Sequence, residues 1–84
     1  MELLEIEHRL QRLLERFAGN VPPEQIEDAK DLVKAGEPGV ALENYCSQLF
    51  EFDAAVPAEV LAELEALGRA MGIDQEYCLR LRRM

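Results

Sequence analysis

Apolar and polar positions divide this chain into five stretches of helical period, joined by short segments marked by Pro and Gly. In the first, about residues 2–17, Leu3, Ile6, Leu10, Leu13, Leu14 and Phe17 follow the three–four spacing of a single buried stripe. Glu5 and Arg9 form a favourable i,i+4 pair on the wet side, where His8 and Leu4 also fall. After the break "AGNVPP", Pro23 is placed to open a second helix, because its missing N–H costs nothing in a first turn. Ile26, Ala29, Leu32 and Val33 make the inward face of that helix. Opposite them Glu24, Glu27, Asp28 and Asp31 form a carboxylate ridge at i, i+3, i+4 and i+7. Like charges at these spacings repel by a few tenths of about 1 kcal/mol per pair. The positive N-terminus of the helix relieves Glu24 and Glu27, but not Asp28 and Asp31. The ridge reads either as solvated surface or as a partner contact.

Gly36 ends the second helix, and Glu37-Pro38 begins a third. At 100° per residue, Ala41, Leu42, Tyr45, Cys46, Leu49, Phe50 and Phe52 cover about 180° of it, wider than the stripe of a surface helix. That width predicts a helix lying between several others. The remaining strip carries Glu43, Asn44, Ser47 and Glu51 with Val40 exposed at its centre, an apolar side chain ringed by acids and amides. Pro57 opens a fourth helix with Val60, Leu61, Leu64, Leu67 and Met71 inward and Glu59, Glu63 and Glu65 outward, and Gly72 ends it. Asp74 caps a short last helix in which Tyr77, Cys78 and Leu81 pack. Arg80, Arg82 and Arg83 cluster at its C-terminus, where cations suit the helix dipole. The pattern predicts an all-α fold: one domain over residues 1–84, built as a small bundle of four main helices plus a short C-terminal helix.

Length and composition narrow what such a bundle can do. At 84 residues the chain buries roughly 60–65% of its unfolded surface, enough for one modest core and no deep multi-part active site. Apolar residues make up 49%, without a run long enough to span a membrane. The start "MELLEIEHRL" is acidic and amphipathic rather than basic and then apolar, which points to a cytoplasmic protein. Cys46 and Cys78 match no zinc or redox spacing and fall on apolar faces, so they read as buried reduced thiols. Ser47 has no His near it in sequence, and His8 has no ligand-spaced companion, so neither a nucleophilic centre nor a metal site is indicated. Carboxylates on convex helix faces stay hydrated and serve acid–base chemistry poorly. We therefore expect a protein that is not an enzyme and needs no cofactor or metal.

Net charge is −8 and unevenly spread. Residues 24–65 hold eleven acids against Lys30 and Lys34, while residues 66–84 hold four arginines against Asp74 and Glu76. Such an acidic body disfavours nucleic acid and anionic lipid and favours basic partners.

The segment "AGEPGVALENYCSQLFEFDAAVPAEVLAELEALGRAMGID" resembles the MafI family of immunity proteins, which belong to polymorphic-toxin and contact-dependent-inhibition systems of Gram-negative bacteria. The resemblance is carried by Gly36-Glu37, Ala41-Leu42-Glu43, Cys46, Gln48-Leu49, Glu51 and Asp53, then Leu67-Gly68 and Met71-Gly72. It implies a cytoplasmic protein, monomeric when free, that binds the C-terminal domain of its cognate toxin 1:1 and neutralises it. Toxins of these systems are often nucleases, including tRNA-cleaving ones, whose clefts must be basic to hold phosphates. The expected contact face is Glu27, Asp28, Asp31, Glu37, Val40, Glu43 and Glu51, either standing where substrate phosphates go or blocking access from beside the active site. The competing expectation is a small acidic helical adaptor with a purely structural role.

Overall fold

The computed structural model describes residues 1–83. Five helices follow in order: α1 Leu3–Arg16, α2 Pro23–Lys34, α3 Pro38–Glu51, α4 Ala58–Ala70 and α5 Glu76–Arg82. The fold is all-α, four main helices and a short C-terminal one, with no strand among the described residues.

Local chemistry sets the boundaries. Proline occupies the first turn of α2 and of α3, while Pro57 stands one residue outside α4 as its N-cap. Three helices stop by the same device. After α2 the Glu37 N–H reaches the Leu32 carbonyl at 2.8 Å and the Gly36 N–H reaches Val33. After α4 the Ile73 N–H reaches Gly68 at 2.8 Å and the Gly72 N–H reaches Arg69. After α3 the Ala54 N–H reaches Leu49 at 3.0 Å and the Asp53 N–H reaches Phe50. Each needs a left-handed residue at the reversal. Gly36 and Gly72 supply it at φ 82° and 70°, whereas Asp53 adopts φ 50° with a side chain attached. At the start of α5, Asp74 Oδ1 accepts the Glu76 N–H at 2.9 Å.

α3 is the hub. It contacts all four other helices, while α2 touches only α1 and α3, and α5 only α3 and α4. Its buried positions Ala41, Leu42, Tyr45, Cys46 and Leu49 meet Ile6, Leu10, Leu13 and Leu14 of α1 and Val60, Leu61, Leu64 and Leu67 of α4 in one cluster. Each such aliphatic side chain contributes about 1.5–3 kcal/mol when withdrawn from water. No polar or charged residue is buried among the described residues. The hydroxyl of Tyr45, itself 1% exposed, donates to the Phe17 carbonyl, which is free because the chain turns extended there and leaves α1.

Three apolar side chains depart from the expected pattern. Leu3 has the phase of the buried stripe yet is 59% exposed, because the first turn of α1 stands beyond the cover of its neighbours and burial begins at Ile6. Phe50 lies at the edge of the α3 stripe and Phe52 follows the last helical residue, and both are exposed. The buried arc of α3 is accordingly about 140° wide rather than 180°. Glu63 and Glu65 of α4 also differ from simple outward acids. Arg9 of α1 grips Glu63 with two hydrogen bonds, one of them Nε to Oε2 at 3.0 Å, and Arg82 of α5 grips Glu65 in the same two-pronged way.

Candidate functional site

The α2–α3 hairpin carries all seven residues expected to meet a partner. On α2, Glu24, Glu27, Asp28 and Asp31 are exposed, and they point away from the buried Ile26, Ala29 and Val33 as the helical phase requires. Lys30 answers one of them, its Nζ lying 3.3 Å from Glu27 Oε2, while Gln11 of α1 binds the Lys30 carbonyl at 3.1 Å. At the hairpin turn Glu37 is the N-cap of α3. Its carbonyl accepts the Ala41 N–H at 3.0 Å, but its carboxylate makes no capping bond and stays exposed.

On α3 two stripes must be distinguished. Val40, Asn44, Ser47 and Glu51 follow one another at i, i+4, i+7 and i+11 and form the outermost strip, with Val40 42% exposed. Gly39, Glu43, Cys46 and Phe50 form the next stripe, and this one faces the α4–α5 turn and α5. A Cβ added at Gly39 would lie 3.3 Å from Ile73 Cδ1, and the Arg80 guanidinium sits 4.1 Å from the Phe50 ring centroid. Glu43 is therefore half-buried on the flank toward α5, beside the outer strip rather than in it. No ion pair or side-chain hydrogen bond joins the α2 acids to those of α3 among the described residues. They share a hairpin, not a cluster.

Sequence spacing placed Arg9 beside Glu5, as the structure does, but gave no sign of the pairings between helices. The three C-terminal arginines fold back onto the protein: Arg82 on Glu65, Arg83 on Glu76 at 3.1 Å, and Arg80 over Phe50. Arg9 serves Glu63 and Glu5. Its hydrogen bond holds the Glu63 carboxyl below the usual range, and the Arg9 guanidinium is raised by the same contact. By contrast Glu24, Asp28, Asp31, Glu37, Glu43 and Glu51 have neither an ion pair nor a side-chain hydrogen bond among the described residues. Residues 23–51 hold seven acids against Lys30 and Lys34 and so carry most of the net negative charge, although Glu7 and Glu15 of α1 and Glu59 of α4 are also unpaired among the described residues.

No family model, curated protein or solved structure matches this chain.

The remaining surface offers shallow depressions open to solvent. One is lined by Asp53–Ala58 together with Leu61, Leu81 and Arg82. Among the described residues no three His, Cys, Asp or Glu side chains converge on a metal-sized site, and no helix is long and apolar enough to cross a membrane.

Proposed function

We propose that this protein is a cytoplasmic immunity protein that binds the C-terminal domain of a cognate polymorphic or contact-dependent-inhibition toxin 1:1 and neutralises it. The target chemistry is a basic nuclease cleft, and inhibition works by binding alone. The observation that carries this reading is the division of charge just described. Glu5, Glu63, Glu65 and Glu76 of α1, α4 and α5 are each paired with an arginine, whereas on the α2–α3 hairpin Glu27 alone of seven acids is paired among the described residues, which leaves six carboxylates for something outside the molecule. A cleft built to hold phosphates presents the complementary field, which speeds encounter and fixes orientation. The resemblance of residues 35–74 to MafI-type immunity proteins points the same way.

An adaptor role is the second reading, and a different patch favours it: Met1, Leu3 and Leu4 expose apolar surface at the start of α1, with Leu4 lining a depression beside Val33 and Lys34 of α2.

Calorimetric titration into the C-terminal domain encoded by the adjacent upstream gene, inactivated by mutation, separates the two. The immunity reading expects one-to-one binding tighter than about 10⁻⁷ M, weakening as salt rises. Charge reversal of Asp31 together with Glu43 should slow association, most at low ionic strength. Tight binding indifferent to salt and to that double variant removes the electrostatic face, and absence of binding leaves the adaptor.

A further inference from the structure

The two cysteines meet. Cys46 lies on the α5-facing stripe of α3, between Gly39, which abuts Ile73, and Phe50, which lies under Arg80. Cys78 sits between Ile73 and Arg80 on the buried face of α5. Both are free, and they are only 1% and 3% exposed. The contacts on either side of them, Gly39 with Ile73 and Phe50 with Arg80, set the two side chains facing each other across the α3–α5 interface. A lone core cysteine acts as a small apolar residue, but two cysteines facing each other across a helix interface have a further chemistry open to them.

We propose that Cys46 and Cys78 are a site of reversible oxidation, at which a peroxide converts the thiol pair into a disulfide tying α5 to α3. The roles of the sulfurs follow from where they sit. Cys78 belongs to the short helix α5, whereas Cys46 lies on α3, the hub of the fold. Cys78, on the element that opens, is thus the attacking thiolate. Its sulfur bonds to one peroxide oxygen, the O–O bond breaks, and the departing hydroxide takes a proton to become water. The resulting sulfenic acid is attacked by the Cys46 sulfur, the S–S bond forms, and the expelled hydroxide leaves with the Cys46 proton as a second water. Each sulfur loses one electron, and the two peroxide oxygens gain them. Access comes from α5 itself, the shortest helix, which touches only α3 and α4 and is the element best placed to open locally.

The test exposes the folded, reduced protein to hydrogen peroxide, alkylates any remaining thiol, and digests with trypsin. We expect a product lighter by two hydrogens, with peptide 35–69 joined to peptide 70–80. Its melting temperature should exceed that of the reduced form by more than about 10 °C, and dithiothreitol should restore the original. In Cys46→Ser, or in Cys46→Ala if the serine is poorly tolerated, Cys78 should stop at a sulfenic acid trapped by dimedone. Three results overturn the proposal: thiols that stay alkylatable under peroxide that fully oxidises glutathione, oxygen gain or interchain linkage in place of hydrogen loss, or an oxidised form that melts no higher than the reduced one.

Discussion

Replacing Tyr45 by Phe removes one oxygen atom from the hub of the fold. The ring stays the same size, so no cavity is created, and the change isolates the hydroxyl that donates to the Phe17 carbonyl. In the variant that carbonyl loses its only side-chain donor among the described residues, at a site where Tyr45 is 1% exposed and Phe17 half-buried. Leaving a buried acceptor unpaired costs about 1–2 kcal/mol. For a domain this small that is a fall in melting temperature of about 5–15 °C. Thermal and urea unfolding followed by far-ultraviolet circular dichroism measure it, with an unchanged urea slope confirming that only stability moved. Tyr77→Phe is the control. That residue is half-buried and its hydroxyl has no partner among the described residues, so it should change stability by less than about 0.5 kcal/mol. The same geometry has a pH signature. Burial raises the Tyr45 phenol above its ordinary pKa of 10.0. The folded state then keeps a proton that the unfolded chain loses, so stability is whole below pH 10 and falls as pH rises beyond it. Tyr45→Phe should flatten that alkaline fall. A variant melting within about 2 °C of the parent, or one with the same alkaline limb, would show that the hydroxyl is dispensable.

Other substitutions test neighbouring parts of the reasoning. Asp53→Gly should raise stability by about 0.5–1 kcal/mol in urea titrations, since glycine relieves the left-handed φ of 50° at the end of α3. Gly19→Ala should lower it by more than about 2 kcal/mol, because φ is 58° and the new Cβ would stand 2.9 Å from the Ala54 Cβ. Glu63 titrates below its ordinary value of 4.5 because of Arg9, so its contribution is complete above that pH and is lost as pH falls through the depressed value. Arg9→Gln should therefore reduce the acid sensitivity of the melting temperature, by an amount under about 1 kcal/mol.

Much of the fold could be read along the chain because its helices are punctuated locally. Pro23, Pro38, Gly36 and Gly72 act through their own backbone geometry, and the phase of Ile26–Ala29–Val33 or Val60–Leu64–Leu67 fixes which side of a helix turns inward. Phase does not say how far a neighbour extends. Leu3 and Phe50 have the right periodicity for burial, but one lies beyond the covered length of its helix and the other at the margin of the covered arc. Pairings between distant segments left no mark either. Arg9 and Glu63 come from different helices, so no spacing rule joins them, and Arg82 with Glu65 is the same case. The acidic hairpin was visible as a count of charges. That six of its seven carboxylates lack cationic partners became visible only when the cations were placed, and the separation of Glu43 from the Val40–Glu51 strip required knowing where α5 lies.

The α2–α3 hairpin has a consequence for the order in which the molecule assembles. These two helices share the most extensive interhelical contact in the protein and are joined by only the short turn at residues 35–37. Contacts between near neighbours in sequence close with the least entropic loss, so this hairpin is the expected nucleus of folding. The repulsion within the Glu24–Asp31 ridge would then be felt on the way to the transition state. Asp28→Asn with Asp31→Asn should speed refolding in stopped-flow experiments and leave unfolding nearly unchanged, whereas an effect confined to unfolding would place the nucleus elsewhere. By this order the acidic surface is complete early, before the chain's last helix has docked.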